Sequence, residues 1–333
     1  MIVRASRQQG FVLAATLWIL AIIAIGAAYF AERVERAVEL AQRSRFASQT
    51  FVDFASTRAE ILFRLNTTGF SLHGLGLAPD TSIALDGRAY RGTGQDSVRL
   101  QDSRGLLNVN FPDREMVRRL VGFLGVPAER RDALLDTLLD YLDADNLRRL
   151  NGAEAAEYAR LDLPPPANDW LATPHQLQNI IGWRDEPELW KEQRLLRFVT
   201  TSRLIGLNPN TAPAEILAAL PGGNPDIARR MLELRRIAPF FAASQLVALT
   251  GNPALDSEYF IFFPGNSIRL TQESTALPWA VQSEIFLTPN SDTAPWRVDY
   301  HVRTAVASPA RHATEIPPLP KRVALPAAGS EAL

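Results

Sequence analysis

The sequence predicts an α+β protein: a long N-terminal helix, an antiparallel β-sheet body and a large all-α domain inserted into that body. The uncharged stretch 11–31 continues into an amphipathic pattern that meets no Pro or Gly before Gly69, as expected of one long helix. Polar and apolar residues alternate on both sides of a central region, 111–250, in which the apolar spacing is helical. A helix, two sheet-forming parts and an inserted helical domain therefore account for most of the chain.

The N-terminal helix is expected to cross a membrane once, through residues 11–31, and to continue beyond it through residues 32–68. A helical apolar stretch of about 20 residues spans roughly 30 Å, the thickness of a bilayer hydrocarbon core. Arg4 and Arg7 precede it, so the positive-inside rule places the N-terminus in the cytoplasm and the body on the other side. A cleaved secretory signal peptide is the alternative, but its apolar region is shorter and a polar mature sequence follows it.

The junction between Gly10 and Phe11 separates the basic leader from the apolar helix. It resembles the cleavage site of the type IV prepilin family, in which a prepilin peptidase cuts after Gly and the new N-terminal Phe is methylated. The resemblance implies a leader peptide of residues 1–10 and an N-methylated mature chain that starts at Phe11. A plain signal anchor is the alternative interpretation of the same segment.

The fifth mature position departs from the pattern of that family. Most pilins and pseudopilins carry Glu there, whereas this chain has Ala15. A carboxylate in hydrocarbon is costly unless it is paired, and the family's Glu is held to pair with the N-terminal amine of a neighbouring subunit. The resemblance therefore implies that Ala15 determines filament position: the subunit can end a filament but is poorly equipped to repeat within it.

The β-sheet body is predicted in two parts, 69–110 and 251–304. Gly and Pro interrupt the first part as far as Gly94, and strand-like alternation follows at 97–101. In the second part, alternation is clearest from residue 295 to residue 304. Residues 305–333 consist mainly of Pro, Ala and isolated charges, a composition that predicts a disordered tail.

The inserted domain, 111–250, begins after the first copy of a short internal repeat. Leu-Asn-Val-Asn at 107–110 recurs as Leu-Asn-Pro-Asn at 207–210, and a helix-turn-helix pattern follows each copy. Each Asn is expected to cap the helix that follows it. Residues 220–224 resemble a helix-hairpin-helix, a motif that commonly binds the DNA backbone. Asp226 follows this hairpin and the net charge is −1, so no nucleic-acid partner is expected.

A series of motifs between the two repeats resembles the GspK family, the K-type minor pseudopilins of type II secretion systems. The matching residues are Asp140-Tyr-Leu-Asp-Ala-Asp145, Gly152-Ala-Glu154, Tyr158, the Pro run 164–166, Asn168, and Thr173-Pro-His-Gln-Leu177 leading to Ile181-Gly182. The resemblance covers most of residues 8–304, with Tyr141, Pro165 and Gln176 as departures. It implies a pseudopilin-type sheet body, attachment to the cell inner membrane and a periplasmic C-terminal body.

The same resemblance implies a role in assembly. The expected partners are the I- and J-type minor pseudopilins, then the H-type, the major pseudopilin and the prepilin peptidase. The expected position is the tip of the pseudopilus, where the subunit would initiate or cap the filament. The alternative class is a signal-anchored periplasmic binding protein or enzyme unrelated to secretion.

An oxygen-rich cluster predicts a structural calcium site at Asp143, Asp145, Glu154 and Asn168, with Glu157 as a further candidate. Ca²⁺ takes six to eight oxygen ligands in flexible geometry, and members of the resembled family bind calcium in this domain. The alternative is that these acids cap helices or solvate a loop. An EF-hand is not supported, because the required Gly and closing Glu are absent after Asp143.

No enzymatic motif is present. The sequence has no Cys, no His-Glu-x-x-His, no Gly-x-Ser-x-Gly and no phosphate-binding Gly-rich loop. Its four histidines, His73, His175, His301 and His312, are widely separated along the chain. A catalytic function is therefore not expected.

Overall fold

A computed structural model of the chain describes residues 9–94, 96–306 and 316–321, with side chains from residue 11 onward. It divides into two compact units, one ending at Val52 and the other beginning at Asp53. The predicted leader lies outside the described residues, except for Gln9 and Gly10. The described elements confirm the predicted α+β class.

Helix α1 runs from Gln9 to Thr67 and covers the predicted segments 11–31 and 32–68 apart from Thr68. In its first part the large apolar side chains are exposed, and the best window has a mean hydropathy of 2.5 with no buried residue. Its last turns belong to the second unit, where Ile61 and Leu65 are 0% and 4% exposed. Each such side chain contributes roughly 1.5–3 kcal/mol on burial.

The body is a five-stranded antiparallel sheet preceded by a short hairpin. The hairpin strands are β1 (Phe70–Ser71) and β2 (Gly74–Leu75). The sheet strands are β3 (Asp86–Arg91), β4 (Asp96–Asp102), β7 (Ser267–Ser274), β8 (Trp279–Leu287) and β9 (Trp296–Ala305), in that spatial order. Apolar side chains of the sheet pack with Ile61 and Leu65 of α1 in one core. Because β4 and β7 are neighbours, the helical region is an insertion between adjacent strands.

The inserted domain contains seven helices and two very short strands among the described residues. The strands are β5 (Leu107–Asn108) and β6 (Val199–Thr200), which pair in parallel. The helices are α2 (Arg114–Phe123), α3 (Ala128–Leu142), α4 (Ala155–Arg160), α5 (Pro187–Trp190), α6 (Ala214–Ala219), α7 (Pro225–Ile237) and α8 (Ala243–Thr250). Its core extends from Leu107 to Phe260, so it is wider at both ends than the predicted range 111–250.

The caps of the helices differ from the expectation. Asp113, not an Asn of the first repeat, caps α2 by accepting a hydrogen bond from the Met116 N–H at 2.8 Å. Pro213 occupies the N-cap position of α6 and makes no side-chain cap bond. The repeated Asn residues bind distant parts of the chain instead: the side chains of Asn108, Asn110 and Asn210 donate to backbone carbonyls of distant loops, and that of Asn208 donates to the Asp102 carboxylate.

The predicted disorder of the tail is wrong for residues 316–321. The Arg91 N–H donates to the Pro317 carbonyl at 2.8 Å, and Arg64 Nη1 donates to the Pro320 carbonyl at 2.7 Å. Leu319 packs against the sheet core. Pro cannot donate a backbone hydrogen bond and favours extended backbone. This segment therefore covers the β3 edge without itself forming an edge to which another strand could pair. Residues 307–315 and 322–333 lie outside the described parts of the chain.

Candidate functional site

The predicted calcium ligands come together where α3 ends and α4 begins. Asp143 follows the last residue of α3, Glu154 precedes the first residue of α4, and Asp145 lies in the loop between them. One carboxylate oxygen from each of the three lies within 4.8 Å of the others. Three carboxylates at this separation repel one another strongly unless a cation lies among them.

Asp140 supports this loop rather than joining the cluster. Arg149 donates from its backbone N–H to Asp140 Oδ2 at 3.1 Å, and its Nη1 reaches Asp140 Oδ1 at 2.5 Å and Asp143 Oδ2 at 2.6 Å. A Cβ atom at Gly152 would lie 1.8 Å from Asp140 Oδ2. Gly152 is therefore required for the loop to close over the buried Asp140 carboxylate.

Four oxygens at the cluster are buried without a hydrogen-bond partner. They are both carboxylate oxygens of Glu154, Oδ1 of Asp143 and Oδ1 of Asn168. The Asn168 backbone has φ 47° and its N–H donates to the Tyr141 carbonyl at 3.1 Å, which holds this residue close to the end of α3. Buried polar atoms are normally satisfied, so this group of unpaired carboxylate and amide oxygens is chemically suited to hold a cation.

The electrostatics of Glu154 agree with this interpretation. Burial raises the pKa of its carboxyl, and the neighbouring charges of Asp140, Asp143 and Asp145 raise it further. Glu157, by contrast, points its carboxylate elsewhere: it accepts from the Glu154 N–H at 3.1 Å and from Arg160 Nη1 at 3.1 Å. The donor set is thus carboxylate and amide oxygen only, which fits Ca²⁺ rather than zinc or copper.

The two Asn repeats build equivalent backbone clamps. Asn110 Oδ1 accepts from the Leu171 N–H at 2.8 Å, and its Nδ2 donates to the carbonyls of Leu171 at 3.0 Å and Thr201 at 3.1 Å. Asn210 makes the same set with the Phe240 N–H at 2.8 Å and the carbonyls of Phe240 at 2.8 Å and Phe262 at 3.1 Å. The internal repeat in the sequence therefore corresponds to a repeat of tertiary structure.

A glutamine follows each clamped loop at the same offset. Gln176 Oε1 accepts from the backbone N–H groups of Ala172 and Thr173, and Gln245 Oε1 accepts from those of Phe241 and Ala242. Gln176 is the position at which the chain departs from the Glu of the resembled family. The amide oxygen of Gln176 accepts the two backbone hydrogen bonds without carrying a charge.

A buried hub that sequence reasoning missed joins the second repeat to the sheet. Asp102 at the end of β4 is fully buried and accepts from the side chains of Asn208 at 2.9 Å and Thr211 at 3.0 Å. It also accepts from the backbone N–H groups of Gly265 and Arg104, both at 3.1 Å. Nothing adjacent in the sequence marks Asp102, because three of its four partners, Asn208, Thr211 and Gly265, lie more than a hundred residues away.

The residues predicted for processing and filament position lie on α1. Phe11 is 80% exposed and Ala15 is partly exposed, and Gly10 is helical. Helix α1 is long and apolar enough to cross a membrane, judged by length and composition. The described histidines are not gathered into one site: His73 follows β1, His175 lies in a 3₁₀ turn at 174–179 and His301 lies in β9.

Comparison with known proteins gives consistent matches over the inserted domain. Two models of the family described as "Type II secretion system (T2SS), protein K" match residues 98–202 and 207–259. The type II secretion system protein K of Pectobacterium carotovorum subsp. carotovorum is 28% identical over 217 residues, which is 58% of this chain and 63% of that relative.

A similar fold is found in the crystal structure of the GspK-GspI-GspJ complex from the enterotoxigenic Escherichia coli type 2 secretion system. The matched chain has a TM-score of 0.53 and 19% sequence identity, and the match covers 82% of this chain and 100% of that chain. At this identity the similarity shows the fold alone.

Proposed function

We propose that this chain, which belongs to the protein K family of type II secretion systems, is a minor pseudopilin that initiates or caps the periplasmic pseudopilus. Its role would be assembly and not catalysis. The observation that carries the proposal is the combination, in one chain, of a protein K insertion with an apolar N-terminal helix that has Ala15 where filament-forming relatives carry Glu.

The rigidity of the insertion supports a terminal position. Arg269 of β7 donates to the carbonyls of Leu196 at 3.0 Å and Val199 at 2.6 Å, and its own exposure is only 3%. Together with the Asp102 hub, this contact fixes the helical domain to the sheet. A bulky domain that cannot swing aside would obstruct a further subunit stacked above it, which adds a steric argument to the electrostatic one from Ala15.

The expected partners are the I- and J-type minor pseudopilins, then the H-type and the major pseudopilin. The solved complex of similar fold contains GspI and GspJ beside GspK, which supports the first two. In the membrane, contact between helices would rely on close packing of small residues, and α1 offers Ala14, Ala15, Ala21, Ala24 and Gly26. The body would lie in the periplasm and the N-terminus in the cytoplasm.

Calcium would have a structural role in this function. Asp143, Asp145, Glu154 and Asn168 would hold the ion, and the ion would supply the positive charge that their buried oxygens lack. With the ion bound, the loop between α3 and α4 would be tied at both ends. Its removal is expected to loosen this loop without unfolding the sheet, whose core is separate.

Two measurements on the full chain test the proposal. After co-expression with a prepilin peptidase, the intact mass should correspond to a chain that begins at Phe11 and carries one N-methyl group. Gly10→Val should block this processing, whereas Gly26→Ala should not, because a Cβ at Gly26 meets nothing within 4 Å. A chain that keeps its leader would contradict the pseudopilin assignment and favour an ordinary signal anchor.

The second measurement is co-purification in detergent with I- and J-type subunits. We expect a stoichiometric ternary complex. A chain that is correctly processed yet remains monomeric in this mixture would rule out assembly at the tip while leaving the prepilin assignment intact.

A further inference from the structure

A basic cavity of about 460 Å³ lies where β3 of the sheet meets α7 of the inserted domain. The described residues that line it are Asp86, Gly87, Arg88, Leu232, Arg235 and Arg236. These side chains carry three positive charges and one negative charge, so the lining has a net charge of +2 at neutral pH. An excess of this kind inside a concave surface attracts anions.

The one carboxylate of this lining is shared between two of the arginines. Arg88 donates to Asp86 from Nε at 2.9 Å and from Nη2 at 2.6 Å, and Arg235 Nη2 lies 3.5 Å from the same carboxylate. Burial acts to raise the pKa of Asp86, but the hydrogen bonds and charge of Arg88 and the charge of Arg235 lower it overall. Asp86 is therefore ionised at neutral pH, and its single charge offsets only one of the two arginines that reach it.

Arg235 is the buried arginine of the cavity. Its side chain is 10% exposed, and its Nη1 donates to the carbonyls of Pro209 at 3.0 Å and Ala212 at 2.6 Å. These carbonyls hold the guanidinium in place, but they carry no net charge. Burial lowers the pKa of Arg235 to about 10; Asp86 opposes this shift, and the like charges of the other two arginines add to it. Arg235 therefore stays protonated at neutral pH, with only part of its charge compensated.

Arg236 supplies a guanidinium with no counter-charge of its own. It is exposed, and within the described part of the chain its side chain makes no hydrogen bond or ion pair. Guanidinium groups bind the oxygens of phosphates and carboxylates through paired hydrogen bonds. A phosphate group carries a charge of about −1.5 to −2 at pH 7, which matches the excess of +2, whereas one carboxylate would leave half of that excess.

We propose that Arg88, Arg235 and Arg236 form a binding site for a phosphate group, which is either free phosphate or the phosphomonoester headgroup of a lipid. The bound group bridges β3 and α7 and so strengthens the junction between the sheet and the inserted domain. This site is independent of the calcium cluster at Asp143 and of the proposed position in the filament, because none of its residues takes part in either.

The test measures binding of radioactive inorganic phosphate to the full chain in detergent by equilibrium dialysis. The ionic strength is about 150 mM, at which attraction between separated surface charges is largely screened. The parent should bind one phosphate per chain. Arg236→Gln should lower the affinity about ten-fold or more, because a hydrogen bond between charged groups is lost. The matched control is Arg230→Gln, which removes the same charge from an exposed position of α7 outside the cavity lining.

A second variant, Arg88→Gln, changes a side chain that is 53% exposed and should weaken binding to a similar extent. Competition distinguishes the two sources of the phosphate group. Displacement by a short-chain phosphatidic acid at lower concentration than unlabelled phosphate would assign the site to a lipid headgroup, and the reverse order would assign it to free phosphate. The proposal is overturned if the parent binds no phosphate, if binding survives both substitutions, or if Arg230→Gln weakens it as much as Arg236→Gln.

Discussion

The Asn110 clamp allows a quantitative prediction about stability. Asn110 is 7% exposed, and its side chain makes three hydrogen bonds to the backbone of two loops. Each neutral hydrogen bond contributes about 1 kcal/mol net, and the orphaned backbone groups of Leu171 and Thr201 make the loss larger rather than smaller. We therefore expect Asn110→Ala to lower the free energy of unfolding by about 3 kcal/mol, or the Tm by roughly 5–10 °C.

The assay is thermal unfolding of the full chain in detergent, followed by tryptophan fluorescence, to which Trp183, 1% exposed in the helical core, contributes. Asn210→Ala should cost a similar amount, because Asn210 makes the same set of bonds in the second repeat. The two losses should add within about 0.5 kcal/mol, since the clamps share no partner. The control is Asn66→Ala: Asn66 is exposed on α1 and makes one bond within its own helix. A loss below about 1 kcal/mol for Asn110→Ala, indistinguishable from this control, would refute the clamp.

Four further predictions follow from the same structure. Asp102→Asn should lower the free energy of unfolding by about 3 kcal/mol, because the N–H₂ group of the amide would face the hydrogen-bond donors that now bind the carboxylate. An unchanged midpoint of urea unfolding would contradict the role of Asp102 in joining the repeat to the sheet. Leu319→Ala should lower the free energy of unfolding by about 1 kcal/mol in the same measurement. An unchanged free energy would show that packing of the tail does not stabilise the sheet. EGTA should lower the Tm of the chain, and Asp143→Ala should reduce this effect; an identical shift in the variant would remove the ion from this cluster. Ala15→Glu should let the subunit enter the filament shaft, which quantitative mass spectrometry of purified pseudopili would detect as more copies per fibre; an unchanged copy number would show that Ala15 does not set the position.

The fold was predictable from the sequence where the signal is local. The apolar run before Glu32 and the alternation along β9 follow from periodicity alone, and the repeat at 107–110 and 207–210 is visible as repeated letters. The structure supports these features because each depends on neighbouring residues. The boundaries of the helical domain were less accurate, since Leu107 and Phe260 join its core through backbone pairing with Val199 and Leu207, which lie far away in the sequence.

Features that depend on distant partners could not be predicted. The Asn residues were expected to cap the following helices, but Asn110 binds Leu171 and Thr201, which lie 61 and 91 residues further along the chain. Asp102 carries no local motif at all. Residues 316–321 are held by hydrogen bonds from Arg64 of α1 and Arg91 of β3, which the composition of the tail does not reveal.

The candidate calcium cluster was predictable from the sequence only in part. The spacing of Asp143, Asp145 and Glu154 suggested an oxygen-rich loop, and the structure brings one oxygen of each within 4.8 Å. Glu157 was a further candidate in the sequence, and its carboxylate binds the start of α4 and Arg160 instead. Acidic residues can either bind a cation or cap a helix, and only their arrangement in space distinguishes the two roles.

The most direct test of the central claim is the number of copies of this chain per filament as a function of filament length. Pseudopili would be purified, sorted by length and analysed by mass spectrometry with isotope-labelled peptides of this chain and of the major pseudopilin. A subunit confined to the end is expected at one copy per filament whatever the length, so its ratio to the major pseudopilin should fall in inverse proportion to length. A ratio that stays constant as filaments lengthen would place the chain along the shaft and contradict the account.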